Sequence, residues 1–374
     1  MRIEKMQIKN FRKFEELTIE FKPQINIIAG NNAAGKSTIL EALAVGIGCF
    51  FLGIESIPSP AIKKDDIRVI SRPVGSVLDR QPVLPVTVSC KGEVDSNKIS
   101  WSRSLKTESG RTTYGDALQI KDISSSIQND IRNGKHERIL PVISYYGTGR
   151  LWLQRQENNS ENKQTFSNRF DGYIDSLSAL SNEKLLIKWF KKMTLIQAQE
   201  ETLLPELSAV RKAISECYKS GNKNMSDTDV KFNLKSDELE IIYTDQDGKK
   251  QRQPFRELSD GYRNTLSLVG DIAFRMAALN PQMLGEVTAK TPGIVLIDEI
   301  DQHLHPYWQK NILICLTRIF PKVQFIVTTH SPNVISSALG TNLILLDDTG
   351  CHYYGSNAYG KDVNSVLFEI MDIK

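Results

Sequence analysis

The sequence predicts an α/β fold with a mainly parallel sheet, an antiparallel β lobe and a short helical insertion. Three observations carry that expectation. The apolar segment Ile25-Asn26-Ile27-Ile28-Ala29 runs into a glycine-bounded turn and then into a helical pattern opening with Ile39-Leu40-Glu41-Ala42-Leu43. Residues 83–122 read as short alternating strands. From residue 258 onward, helical and strand patterns alternate, as they do in a parallel sheet with helices packed on it.

Composition sets the bounds. The chain has 374 residues, 40% hydrophobic and 24% charged, which suits one large globular domain or two. A net charge of +3 gives no global basic field, and a local basic groove would not show in that sum. Cys49, Cys90, Cys217, Cys315 and Cys351 form no C-x-x-C pair, which fits free thiols in a reducing compartment. The apolar run from Ala42 to Ile54 is broken by glycines and too short for a bilayer. No leader pattern is visible at the start of the chain, so a cytoplasmic protein is expected.

Taken in order, strands are expected at 3–8, 17–21 and 25–29, with Lys9 to Phe14 as the turn between the first two. A helix follows the glycine turn and ends near Gly48. Residues 55–80, with prolines and mixed charges, read as loop. Val83–Val88 and Lys98–Arg103 are strands around a charged turn, and Leu140–Tyr146 is another. Residues 154–168 are polar enough for a surface loop. Over 171–219 the residues Leu177, Leu180, Leu185, Leu186, Trp189, Phe190 and Met193 recur at helical steps, and a second helical pattern covers Leu204 to Tyr218. The Trp189–Phe190 stripe could pack on its own lobe or on another chain. Residues 220–229 read as a flexible polar stretch.

Strands return at 230–234 and 239–243, and Asp247-Gly248 supplies a hairpin turn. Asp245-x-Asp247-Gly248 is not a calcium loop, because Lys249 and Lys250 stand where oxygen ligands would be needed. Helices at 262–279, 307–319 and 333–338 then alternate with strands at 293–297, 324–328 and 342–346. These shifts divide the chain into a lobe at 1–160, an insertion at 161–230 and a lobe at 231–374.

Gly30-Asn31-Asn32-Ala33-Ala34-Gly35-Lys36-Ser37-Thr38 matches the phosphate-loop pattern G-x-x-x-x-G-K-[ST] at every fixed position. Backbone N–H groups in such a turn point at anionic oxygens, and the positive end of the following helix faces the same charge. Lys36 can meet the β- and γ-phosphates, and the Ser37 hydroxyl can ligate Mg²⁺. The buried strand Ile294–Ile297 ends in Asp298-Glu299. Asp298 can hold Mg²⁺ through water, and Glu299 can orient or deprotonate the attacking water. Without the loop upstream, two acids ending a strand would carry no such reading. In Leu258-Ser259-Asp260-Gly261-Tyr262-Arg263, Ser259 as N-cap and Gly261 for close approach would make a second anion site.

In that company Leu258–Arg263 resembles the signature loop of ABC-type ATPases, usually Leu-Ser-Gly-Gly-Gln. The departures at Asp260, Tyr262 and Arg263 resemble the SMC, RecF and OLD branch and are unlike the transporter ATPases. The resemblance implies an ABC ATPase head that uses ATP and Mg²⁺. It makes Lys36, Glu299 and His330 catalytic and Ser37 and Asp298 the metal ligands. It assigns Arg12, Asn31, Asn32, Ala33, Ala34, Gly35, Lys36, Ser37, Thr38, Ser259 and Gly261 to the nucleotide. His330, at the end of Phe325–Thr329, would contact the γ-phosphate. Arg12, in Asn10-Phe11-Arg12, is either a phosphate contact or a solvated cation. Asp301-Gln302-His303-Leu304-His305-Pro306 would be the D-loop at a dimer interface. Its His-x-His spacing alone also permits a metal, although no third ligand is evident. A Q-loop glutamine is missing where Tyr146-Gly147-Thr148-Gly149-Arg150 stands.

Tyr145–Arg150, Asp298–Pro306 and Tyr359–Leu367 together are similar to the PtuA-type ATPases of Septu and retron antiphage defence. That likeness implies a self-associating dimer with an HNH nuclease partner (PtuB-like) and no membrane partner. In the dimer Lys36, Ser37 and Asp298 of one head would meet Ser259 and Gly261 of the other. The roughly 25 residues after Leu346 are too few for the Toprim nuclease of OLD proteins. The alternatives are a RecF-like ATPase that binds DNA directly and an ATP-gated scaffold with little turnover.

Overall fold

The computed structural model describes residues 1–150, 168–178, 183–222, 225–337, 340–347, 350–354 and 358–369. Of the expected surface loop at 154–168, residues 154–167 lie outside the described residues, as does Leu180. In chain order the strands are β1 (Arg2–Phe11), β2 (Phe14–Glu20), β3 (Ile25–Gly30), β4 (Arg68–Val74), β5 (Val77–Val83), β6 (Val86–Val94), β7 (Asn97–Leu105), β8 (Val142–Tyr146), β9 (Ser226–Asn233), β10 (Glu238–Thr244), β11 (Lys250–Pro254), β12 (Gly293–Ile297), β13 (Val323–Thr329), β14 (Asn342–Leu346) and β15 (Cys351–Tyr353). The helices are α1 (Lys36–Ile47), α2 (Leu118–Arg132), α3 (Glu183–Gln199), α4 (Pro205–Gly221), α5 (Asp260–Leu279), α6 (Val287–Lys290), α7 (Pro306–Ile319), α8 (Pro332–Ser337) and α9 (Val363–Glu369). They fall into two compact units.

The first unit comprises Met1–Arg138, Gln324–Thr328 and Thr341–Ser356. Its central strand is β3, buried from Asn26 to Ala29. β14 runs parallel to β3, from Asn342 opposite Asn26 to Leu346 opposite Gly30. β13 flanks β3 on its other side, and β15 closes the edge antiparallel to β14. A second, antiparallel sheet has the order β2-β1-β6-β7. Its inner face buries Ile3, Met6, Ile8, Val88, Cys90 and Trp101. The period-2 alternation of β1 slips at a register shift between Ile3 and Lys5, which is why Ile3 and Met6 share a face.

α1 packs against β1 and β6. Its Ile39, Leu40, Leu43 and Ile47 are fully buried, each such burial worth about 1.5–3 kcal/mol. Trp101 Nε1 donates to Gly46 O at 2.8 Å and ties β7 to α1. With the 3₁₀ turn that follows it, this helix (Lys36–Gly53) is the one described segment long and apolar enough to cross a membrane. It is 83% buried inside the protein, so its apolar surface is already used.

Three expectations in this unit need correction. The turn after β1 is shorter than Lys9–Phe14: both strands continue until Phe11 pairs with Phe14, and left-handed backbone at Asn10 and Arg12 makes the reversal. The stretch 55–80 is not all loop, because β4 and β5 form a hairpin. Most of its residues are exposed, so no apolar alternation marks it. The strand reading of 83–122 stops at β7, and α2 begins at Leu118. Its buried side mixes Ile120 and Ile127 with Ser124 and Gln128, which weakens the helical period.

The second unit comprises Ile139–Val323, Thr329–Gly340 and Asn357–Lys374. β12 runs parallel to β8, Gly293 opposite Val142 through Ile297 opposite Tyr146, and every residue of β12 is buried. A strand covered on both faces reads as a continuous apolar run, as Gly293–Ile297 does. α5 is the long helix of the unit and packs on α3, α4 and the 3₁₀ turn Arg169–Tyr173. The helical reading of 171–219 resolves into that turn, α3 and α4, with a break at 200–204. Trp189 and Phe190 are buried, and Trp189 lies 5.9 Å from the Phe274 ring of α5, so the stripe packs on its own unit. The expected flexible stretch 220–229 is cut at both ends. α4 extends through Gly221, and β9 starts at Ser226 to form the antiparallel sheet β11-β10-β9. All five cysteines are free, four of them buried, and burial pushes the Cys49 thiol up to about 12.

Candidate active site

The phosphate loop belongs to the first unit. Left-handed backbone at Ala33 (φ 62°) and Gly35 (φ 97°) curls the turn, and Ala34 N–H closes it on Asn31 O at 3.2 Å. A side chain at Gly35 would need that left-handed backbone and would put its Cβ 2.7 Å from Phe14 Cζ. Gly35 is the N-cap of α1, brings no side chain to compete for the helix N–H groups, and is followed by no acid in the first turn. The positive end of the helix is therefore uncompensated, which suits a polyanion. Lys36 is only 6% exposed, and its Nζ donates to Gly30 O at 2.8 Å and Asn31 O at 2.9 Å. The ammonium is folded back onto the turn that would hold the phosphates. Ser37 and Thr38 follow, half-buried, while Asn31, Asn32 and Ala33 are exposed and Ala34 is buried.

Two cations from the β1–β2 turn approach this loop. Arg12 pairs with Glu41 on α1 and with Asp66, whose Oδ1 is 2.9 Å from Nε. Burial draws the guanidinium pKa down, but Glu41 and then Asp66 outweigh it, and the net value is raised. Arg12 is thus a fixed cation braced against the loop's own helix. Lys13 was not singled out in the sequence, yet its Nζ donates to Ala33 O at 3.2 Å and sits 5.7 Å above the Phe14 ring. Its place beside Arg12 was the only available signal.

The other predicted residues lie in the second unit. Asp298, 3% exposed, follows β12, and its N–H donates to Tyr146 O at 2.8 Å. Glu299 has left-handed backbone (φ 45°), a conformation costing a non-glycine residue about 1–3 kcal/mol, and such strain concentrates at functional sites. Gln302 N donates to Glu299 O and Leu304 N to Asp301 O, so 299–304 is a run of tight turns. Asp301 Oδ1 accepts from Thr329 Oγ1 at 2.5 Å, and Gln302 Nε2 donates to Thr148 O at 3.1 Å. His305 spends Nδ1 on capping α7, where it accepts from Tyr307 N at 3.3 Å. That use leaves the His-x-His spacing with a structural cause, and no group of three potential metal ligands occurs among the described residues. His330, half-buried, follows β13.

Ser259 is the N-cap of α5 as expected, but its exposed side chain makes no cap bond. The hydroxyl is available at a helix N-terminus. A Cβ at Gly261 would come 2.3 Å from His303 O. The close approach that requires glycine is therefore to the backbone of the 299–304 turn. The structure thus brings the signature segment against the turn that follows Asp298 and Glu299.

A third group in this unit had escaped the sequence reading. Tyr146 OH donates to Asp271 Oδ2 at 2.6 Å, and Arg275 Nε donates to the same oxygen at 2.7 Å. Burial first, then Asp271, raises the tyrosine pKa well above its ordinary value. Burial lowers the Arg275 pKa, but Asp271 outweighs it, and the net value is raised. Removing one partner of such a buried pair costs about 3–5 kcal/mol. The signal was present, since Asp271 and Arg275 are an i,i+4 charge pair in the otherwise apolar C-terminal half of the helix, Leu268–Leu279.

Comparison with known proteins bears on the family and the fold. Two AAA-domain family models match, one over residues 5–222 and one, described with the AbiEii toxin of type IV toxin–antitoxin systems, over 116–336. The "Retron Ec83 probable ATPase" of Escherichia coli is 27% identical over 92% of this chain and 71% of its own length. The "Septu protein PtuA" of Bacillus thuringiensis is 22% identical over 92% of this chain and 75% of its own. Among solved structures, an SMC head bound to the C-terminal winged-helix domain of ScpA aligns over 95% of this chain and 98% of its own with a TM-score of 0.53 at 19% identity, which speaks for the fold. The chain belongs to the AAA-domain family and is an ATPase with the fold of an SMC head.

Proposed function

We propose that the chain hydrolyses ATP with Mg²⁺ at a site completed by a second copy, and that its nucleotide state controls a partner effector. The observation that carries the reading is the phosphate loop: a curled turn, an uncompensated helix N-terminus and a buried Lys36 ammonium. The donor set suits the metal, because the Ser37 hydroxyl and the Asp298 carboxylate are hard oxygen ligands. Held there, Mg²⁺ would neutralise charge on the β- and γ-oxygens. Lys36 supplies a fixed cation to the same oxygens, and Arg12 and Lys13 add charge on the loop's flank. Asn31, Asn32, Ala33, Ala34, Gly35 and Thr38 contribute backbone and cap groups to the phosphates. Glu299 accepts the proton of the attacking water, and His330 contacts the γ-phosphate.

Ser259 and Gly261 serve the nucleotide of the opposite head in a head-to-tail dimer. Support comes from the Ser259 hydroxyl, left without a cap bond at an exposed helix N-terminus. The effector is an HNH nuclease in antiphage defence in the cytoplasm, a reading supported by relatives named for retrons and Septu. Phosphate release tests the metal requirement. Turnover is expected in excess Mg²⁺, with loss in EDTA and recovery when Mg²⁺ is restored. Turnover unchanged by EDTA would overturn the metal assignment.

A further inference from the structure

The group formed by Tyr146, Asp271 and Arg275 is not accounted for by nucleotide binding or by the acid–base step. It lies at a junction. The backbone of Tyr146 accepts the N–H of Asp298, which fixes the metal-ligand position at the tip of β12. Its hydroxyl holds Asp271, on the helix whose first turn carries Gly261. Arg275, 1% exposed, continues from Asp271 and donates to the carbonyls of Gly172 (2.8 Å) and Ile174 (2.9 Å), the segment leading toward α3. One residue therefore contacts the acidic tip through its main chain and the signature helix through its side chain.

The geometry points to Tyr146 as a positioning residue for hydrolysis, acting through Asp271 to hold α5 in register with the turn after Asp298. This rests on the proposed role of the signature helix in the composite site. The physical case is that α5 is held at two places, by the acidic turn at its first residues and by β8 at Asp271. At the N-terminal end, Gly261 lies against His303 O, a contact that sets distance and supplies no directional bond. Three turns along, Tyr146–Asp271 supplies the directional bond, charge-assisted and buried, where such bonds are strongest. Two contacts about three turns apart fix the direction of the helix axis, and with it the place of the Ser259 hydroxyl and the helix N-terminus. Without the tyrosine hydroxyl, Asp271 keeps Arg275 and the helix stays packed, but the tie to β8 is gone. The Oδ1 atom of Asp271 is buried with no hydrogen-bond partner, so the carboxylate depends on the bonds at Oδ2 for its orientation.

The test is Tyr146→Phe, which deletes one oxygen and opens no cavity, with steady-state hydrolysis, nucleotide affinity and thermal melting measured together. Losing a hydrogen bond to a charged group and passing that loss to the transition state predicts a kcat lower by about tenfold. KM and ATP affinity should stay within about twofold, because the phosphate loop is untouched. A double-mutant cycle with Ser259→Ala distinguishes positioning from general support. If Tyr146 acts through the signature helix, the double variant is little slower than Ser259→Ala alone. Unchanged kcat, or losses that simply multiply, would overturn the proposal, as would a rise in KM that accompanies a fall in melting temperature. If wild type itself releases no phosphate, the composite-site reading fails first, and the two failures are told apart by that control.

Discussion

Lys36→Ala gives a folded protein in which ATP binds at least about tenfold more weakly and hydrolysis falls by ~10²-fold or more. The fold is expected to survive because the lysine bonds carbonyls of the loop itself, Gly30 O and Asn31 O. Water can replace the ammonium on the exposed side of that turn. The chemistry does not survive, because the lysine is the cation set inside the turn itself, while Arg12 is committed to Glu41 and Asp66. Calorimetric titration with ATP and a phosphate-release assay measure the two losses, and a melting curve checks the fold. Wild-type affinity in the variant would remove the phosphate-loop assignment.

The second large effect is at Glu299. Glu299→Gln keeps shape and hydrogen-bonding reach but cannot take a proton, so turnover should fall by ~10²–10⁴-fold while ATP still binds. Glutamine can also occupy the left-handed backbone at this position about as well as glutamate, so the turns at 299–304 are retained. The variant is expected to accumulate with ATP bound, seen as unhydrolysed nucleotide recovered after gel filtration. Wild-type turnover would assign the base elsewhere.

How much of this was legible in the sequence depended on what buries each element. β12 and β14 were read to the residue, because buried strands between turn residues leave an unbroken apolar run. The phosphate loop was legible for a different reason: its glycines and lysine are chemical requirements with fixed spacing. The β4–β5 hairpin and β11 were missed because largely exposed strands carry no apolar period, and α2 because Ser124 and Gln128 stand in its buried stripe. At the site, Gly261 was expected to let an anion come close, and the structure adds the carbonyl of His303 as the atom that excludes a side chain. Tyr146 bonds Asp271 across 125 positions, a pairing that only the folded chain can bring together.

The central claim is that one head's phosphate loop works with the other head's signature segment. Ser259→Arg would place bulk and positive charge at the exposed N-terminus of α5 and leave the phosphate loop intact. Alone, it should bind ATP normally and hydrolyse none, and Lys36→Ala alone should also be inactive. The decisive measurement is phosphate release from the two inactive variants after mixing and re-equilibration. Each mixed dimer keeps one site with both parts intact, so random exchange predicts recovery of about a quarter of wild-type activity. No recovery in a mixture shown to contain mixed dimers, or wild-type hydrolysis by Ser259→Arg alone, would contradict action between heads.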